Sequence, residues 1–76
     1  MKKMFFISGT REQMMEFVWE YIVGRMDCEV MHRVDLYDSC GMYIKVDDGN
    51  PRKWFIQACK AYDIKIRWYQ PEGEVA

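Results

Sequence analysis

The stretch Cys28-Glu29-Val30-Met31-His32-Arg33-Val34-Asp35-Leu36-Tyr37-Asp38-Ser39-Cys40-Gly41-Met42-Tyr43-Ile44-Lys45-Val46-Asp47 decides the fold. Val30, His32, Val34 and Leu36 alternate with Met31, Arg33, Asp35 and Tyr37, a period of two that sends one set to each face of a strand. Asp38-Ser39-Cys40-Gly41 carries turn chemistry, after which Met42, Ile44 and Val46 alternate with Tyr43, Lys45 and Asp47. Two alternating runs joined by a turn cluster predict a β-hairpin.

Working outward, each side of the hairpin carries a helix and then a strand. On the N-terminal side Met4 to Ile7 is a short apolar run ended by Ser8-Gly9, which suits a buried central strand. Thr10 with Gln13 three residues on forms a capping box, no Gly or Pro follows until Gly24, and a helix is expected over residues 11 to 23. On the C-terminal side Asn50 is placed to cap a second helix with Pro51 at its first position, and Phe55, Ala58, Cys59 and Tyr62 recur at helical spacing. Ile64, Ile66 and Trp68 then alternate with Lys65, Arg67 and Tyr69 up to Pro71. The order βαββαβ in 76 residues predicts an α+β, ferredoxin-like sandwich, a single domain with a four-stranded antiparallel sheet and two helices on one face. The expected helix-facing layer is Val30, Val34, Leu36, Met42, Ile44, Val46, Ile64, Ile66 and Trp68, with His32 pointing the same way.

The alternate residues fall on an open face where Arg33, Lys45, Lys65 and Arg67 mix with Met31, Tyr37, Tyr43 and Tyr69, and with the acids Asp35 and Asp47. Mixed rings and cations are what a sheet uses to bind single-stranded nucleic acid. The RNP1 pattern nonetheless finds only Tyr43 and, loosely, Ile44 in Ser39–Val46. Eleven Lys and Arg against 12 Asp and Glu leave no basic excess, so any electrostatic role is local. Phe5 and Phe6 are adjacent, and parity alone does not decide which faces outward.

The helices are over-supplied with apolar residues. Counted at about 100° per residue, the apolar arc of the first helix spans roughly 240° and that of the second roughly 200°, beyond the stripe one sheet can cover. Met15, Trp19 and Val23 are the expected exposed patch, beside an acidic ridge of Glu12, Glu16 and Glu20. Trp19 could instead fold over the loop at residues 24 to 27. Residues expected to meet a partner are therefore Met15, Trp19 and Val23 on the helix and Arg33, Tyr43, Lys45, Lys65, Arg67 and Tyr69 on the sheet.

Catalytic chemistry has little support. His32 is the only histidine and has no nucleophile at local spacing. Ser8-Gly9-Thr10-Arg11 offers helix amides beside a guanidinium, yet lacks the longer glycine and arginine motif of the acylphosphatase loop. Cys28, Cys40 and Cys59 are odd in number with no CxxC spacing, so free thiols in a reducing cytoplasm are expected, with no metal and no cofactor. The apolar run at the start is too short for a signal peptide, and no membrane segment is expected.

Asn50-Pro51-Arg52-Lys53-Trp54-Phe55, followed by Tyr62-Asp63-Ile64-Lys65-Ile66-Arg67-Trp68-Tyr69-Gln70-Pro71-Glu72-Gly73, resembles the C-terminal end of small YubB-type proteins of phages and plasmids. The tryptophan-rich central motif of that family has no counterpart here. The resemblance implies a ferredoxin-like fold and a mobile-element origin, with no site residues to carry over. In functional type such a chain resembles the small inhibitors that phages use against host defence machinery, anti-CRISPR proteins among them. The expectation is thus a non-enzymatic domain that binds and blocks a host protein complex, alone or as a homodimer. A single-strand binder using the open sheet is the alternative, and a structural homodimer without other ligand is a third reading.

Overall fold

Two helices cover one face of a four-stranded antiparallel sheet in a computed structural model that describes residues 2–69. The elements are β1 (Lys2–Thr10), α1 (Arg11–Phe17) continued by a π-helical turn (Val18–Ile22), β2 (Cys28–Asp35), β3 (Ser39–Asp47), α2 (Asn50–Ala61) and β4 (Lys65–Trp68). The strand order is β2-β3-β1-β4, which puts the first and third strands in the centre. The expected segment Gln70-Pro71-Glu72-Gly73 lies outside the described residues.

β1 is longer than its apolar run because pairing, not hydrophobicity, sets its ends. It is in register with β3 from Lys2↔Asp47 to Thr10↔Ser39 and with β4 from Phe5↔Trp68 to Ser8↔Lys65. Phe5 and Ile7 are buried under the helices, so Phe6 takes the opposite face, which settles the parity of this strand. The capping box forms as the sequence predicts: the Gln13 amide donates to Thr10 Oγ1 at 3.1 Å and the Thr10 amide donates to Gln13 Oε1 at 2.9 Å.

The first helix does not stay α-helical to its end. The Val23 amide donates to Val18 O at 2.9 Å, an i to i−5 bond that widens the last turn. Phe17 and Ile22 are five residues apart, which in an α-helix would splay them by about 140°. The wider turn brings both to the core. Gly24 then takes φ +88°, the left-handed conformation that glycine adopts without a Cβ clash, and ends the helix.

The strand β2 departs from strict alternation. Cys28 and Val30 pair with Val46 and Ile44, but past Met31 the register slips and His32, Arg33, Val34 and Asp35 pair with Tyr43, Met42, Gly41 and Cys40. One extra residue on one strand reverses the facing of everything beyond it. His32 and Val34 therefore turn to the open face, and Arg33 and Asp35 to the helix side, the reverse of the expected assignment. Leu36 and Trp68, both expected inside, are 59% and 58% exposed, Leu36 because it lies past the end of β2 and Trp68 because β4 is an edge strand.

In α2 the cap is Gly49 at φ +89° with no side-chain bond, so Asn50 lies inside the helix and Pro51 follows it, one position later than expected. The core holds a cluster of aromatic rings among aliphatic, Met and Cys side chains. Phe17 stacks on Tyr21 at 5.4 Å and meets Phe55 and Tyr62 edge-on at 5.9 and 5.3 Å, while Phe5 reaches Phe55 at 5.7 Å. Rings from β1, α1, its π-helical turn, the middle of α2 and the residue that follows α2 thus form one cluster with Ile7, Met42, Ile44 and Val46.

Candidate functional site

Two surfaces gather the residues singled out in the sequence. The first is the outer side of α1 and its π-helical turn. Met15 and Val23 are half exposed, and Trp19 between them is 75% exposed. Trp19 does not fold over the following loop. Arg25 from that loop instead lies on the Tyr21 ring, with its guanidinium carbon 4.3 Å from the centroid. A shallow groove beside Trp19 is lined by Glu12, Met15, Glu16, Val18 and Glu20, so an apolar floor has a carboxylate rim. Glu20 accepts a hydrogen bond from the Tyr62 hydroxyl, which raises the pKa of that phenol and ties the turn to α2. Glu12 and Glu16 have no ion-pair partner among the described residues.

The second surface is the open sheet face. The register sets four residues in one row across all four strands: His32 on β2, Tyr43 on β3, Phe6 on β1 and Arg67 on β4. His32 and Tyr43 rings are 6.1 Å apart, Tyr43 and Phe6 4.8 Å apart, and the Arg67 guanidinium carbon is 5.4 Å from the Phe6 centroid. Tyr69 meets Tyr43 edge-on at 4.8 Å, and its amide donates to Met4 O at 3.0 Å, extending the β4 ladder by one rung. Lys45 and Lys65 fall on the same face in the flanking rows. The Phe6 ring lies over Gly41, whose missing side chain makes the space: a Cβ there would come within 2.5 Å of Phe6 Cζ.

Of the nine residues expected to meet a partner, the structure brings Met15, Trp19 and Val23 to the helix surface and Tyr43, Lys45, Lys65, Arg67 and Tyr69 to the open sheet. Arg33 is the exception. The slip at Met31 turns it to the other side, where its Nε donates to Asp35 Oδ1 at 3.0 Å and holds that carboxyl below its ordinary pKa. His32 and Phe6 join the open face instead. Phe6 was left open by adjacency in the sequence, and His32 was hidden by an irregularity that the alternation of β2 does not announce.

The remaining candidates for chemistry have other occupations. At the Ser8–Arg11 junction the Thr10 and Gln13 amides are taken up by the capping box, and the Arg11 guanidinium donates to the Leu36 and Tyr37 carbonyls. All three cysteines are buried free thiols. Burial pushes Cys28 and Cys59 up to about 12, helped at Cys28 by Asp27, and raises Cys40 as well, so none is a ready thiolate. No group of three or more His, Cys, Asp or Glu is placed to hold a metal ion, and no helix is long and apolar enough to cross a membrane, among the described residues.

Comparison of the chain with known protein families, with curated proteins and with solved structures finds no match.

Proposed function

We propose that the chain is a ferredoxin-like, non-catalytic domain that works by docking on another protein through the outer side of its first helix. Supporting the fold name is the arrangement of two interleaved β-α-β units: β3 lies between β1 and β2, and β1 lies between β3 and β4. The observation that carries the docking reading is Trp19, 75% exposed between Met15 and Val23. A tryptophan carries a large aromatic surface that gains from burial against a partner, and Trp is among the residue types enriched at the anchors of protein interfaces. A contiguous apolar patch with a polar rim is the usual form of a partner site. The Glu12 and Glu16 carboxylates at that rim favour a partner presenting cations around an apolar contact.

The resemblance of the C-terminal third to proteins of mobile elements extends the proposal one step: the partner is a host defence complex, which the domain blocks by occupying a working surface. The test is capture from host lysate by the wild-type chain, by Trp19→Ala and by Lys53→Ala, a change on α2 away from the patch. A species held by wild type and Lys53→Ala but lost from Trp19→Ala supports the docking reading. Identical capture by all three refutes it, and capture of a complex with no defence role refutes the extension alone.

A further inference from the structure

The open sheet face has the chemistry of a second, separate binding site. Its centre is an unbroken row of π systems and one guanidinium, His32, Tyr43, Phe6 and Arg67, with Tyr69 standing against Tyr43. Rings on the outer face of a sheet are not needed for the core, which is complete on the helix side. Phe6 is nonetheless given its place by Gly41, where any side chain would displace it.

Charge on this face is mixed at the Lys2 end, where Glu29 is the cross-strand partner of Lys45, and basic along β4. Glu29 and Asp47 both sit at the Lys2 end, and Glu29 is paired with Lys2 at 3.7 Å. Lys65 and Arg67 stand on β4 beside the Phe6 ring, Lys45 stands next to Tyr43 along β3, and none of the three has an ion-pair partner among the described residues. Between Phe6, Ser8, Lys65 and Arg67 the surface dips into an open hollow of about 270 Å³, where a flat group can lie against the ring edge beside both cations.

We infer that this face binds single-stranded nucleic acid, with Phe6, Tyr43 and Tyr69 stacking bases and Lys45, Lys65 and Arg67 meeting phosphates. The row spans four strands at about 4.8 Å spacing, a platform for two or three nucleotides. Stacking on rings is tolerant of sequence, because every base has a π face, and it is available only to bases that are not already paired. A duplex would present phosphates to the cations but no ring face to the aromatics. An acidic peptide would meet the cations and leave the row of rings without a flat partner.

The test is fluorescence anisotropy of labelled ten-nucleotide oligo(dT) and oligo(U), with a ten-base-pair duplex as control, at 50 and 200 mM salt. Three contacting cations predict a fall in affinity of about twentyfold over that salt range. Tyr43→Ala is expected to weaken binding by roughly five- to a hundredfold. Because Tyr43 is half-buried, Lys65→Glu combined with Arg67→Glu, both exposed, serves as a second variant and is expected to abolish binding with an unchanged melting temperature. Lys60→Ala, which removes a cation from α2, is expected to bind as wild type. Failure of both oligonucleotides to bind at 50 mM salt overturns the proposal, as does equal affinity for the duplex or wild-type binding by the folded double variant. Because none of these outcomes touches Trp19, the docking reading stands or falls separately.

Discussion

Phe17 and Trp19 are two aromatic residues two positions apart on one helical segment, and they should respond to the same truncation in opposite ways. Phe17 is fully buried, between Tyr21, Phe55 and Tyr62. Its replacement by alanine removes a large side chain and leaves a void, an effect of about 3 to 5 kcal/mol. Against a total stability of about 4 to 11 kcal/mol for a chain of this length, that is close to half. Trp19 keeps only a quarter of its surface from water, 75% being exposed. A quarter of an aromatic side chain of ~250 Å² is ~60 Å², worth about 1.5 kcal/mol at ~25 cal/mol per Å². That figure is an upper bound, and the better helix propensity of alanine offsets about 0.5 kcal/mol of it. Urea titration followed by far-ultraviolet circular dichroism measures both variants without relying on tryptophan emission. Phe17→Leu is the graded control should Phe17→Ala fail to fold. If Trp19→Ala falls by more than about 2 kcal/mol, the tryptophan belongs to the core and cannot be offered to a partner without unfolding.

Two further outcomes follow from the packing. Cys28 and Cys59 ionise near 12 when folded but near 9 when exposed, so the unfolded chain releases these protons first. Stability is then flat below about pH 8 and falls above it, by about 1.4 kcal/mol per thiol at pH 10; an unchanged urea midpoint between pH 7.5 and 10 in a chain with intact thiols would show the groups to be solvated. Gly41→Ala should cost about 1 to 3 kcal/mol because its Cβ meets Phe6 Cζ at 2.5 Å, while the same change in a Phe6→Ala background should be neutral or mildly stabilising. Additive effects in that double-mutant cycle would mean the ring does not rest on Gly41.

The order of elements was legible because each announces itself locally. The Thr10–Gln13 box, the Gly24 stop and the alternation of Met42, Ile44 and Val46 all act over three or four residues, and all appear where the sequence places them. What escaped depends on pairing between distant segments. The extra residue at Met31 is visible only against β3, and it misassigns Arg33, His32 and Val34 together. The fate of Leu36 and Trp68 likewise turned on where a strand ends and which strand is an edge, neither of which is encoded in a local period. On the helix surface the surplus apolar arc was readable in advance, since Met15, Trp19 and Val23 have no second sheet to cover them. The row from His32 to Arg67 was not, because it needs four registers at once.

The placement of β1 between β3 and β4 bears on how the chain comes together during synthesis. Its first ladder partner lies 29 residues downstream at the Thr10↔Ser39 end and 45 at the Lys2↔Asp47 end, and its second arrives only with Lys65–Trp68. Until then the emerging polypeptide exposes the backbone of Phe5, Phe6 and Ile7 along an open border, the condition under which strands recruit the wrong neighbour. A ribosome pausing between α2 and β4 would prolong that vulnerable interval, whereas rapid release would close it.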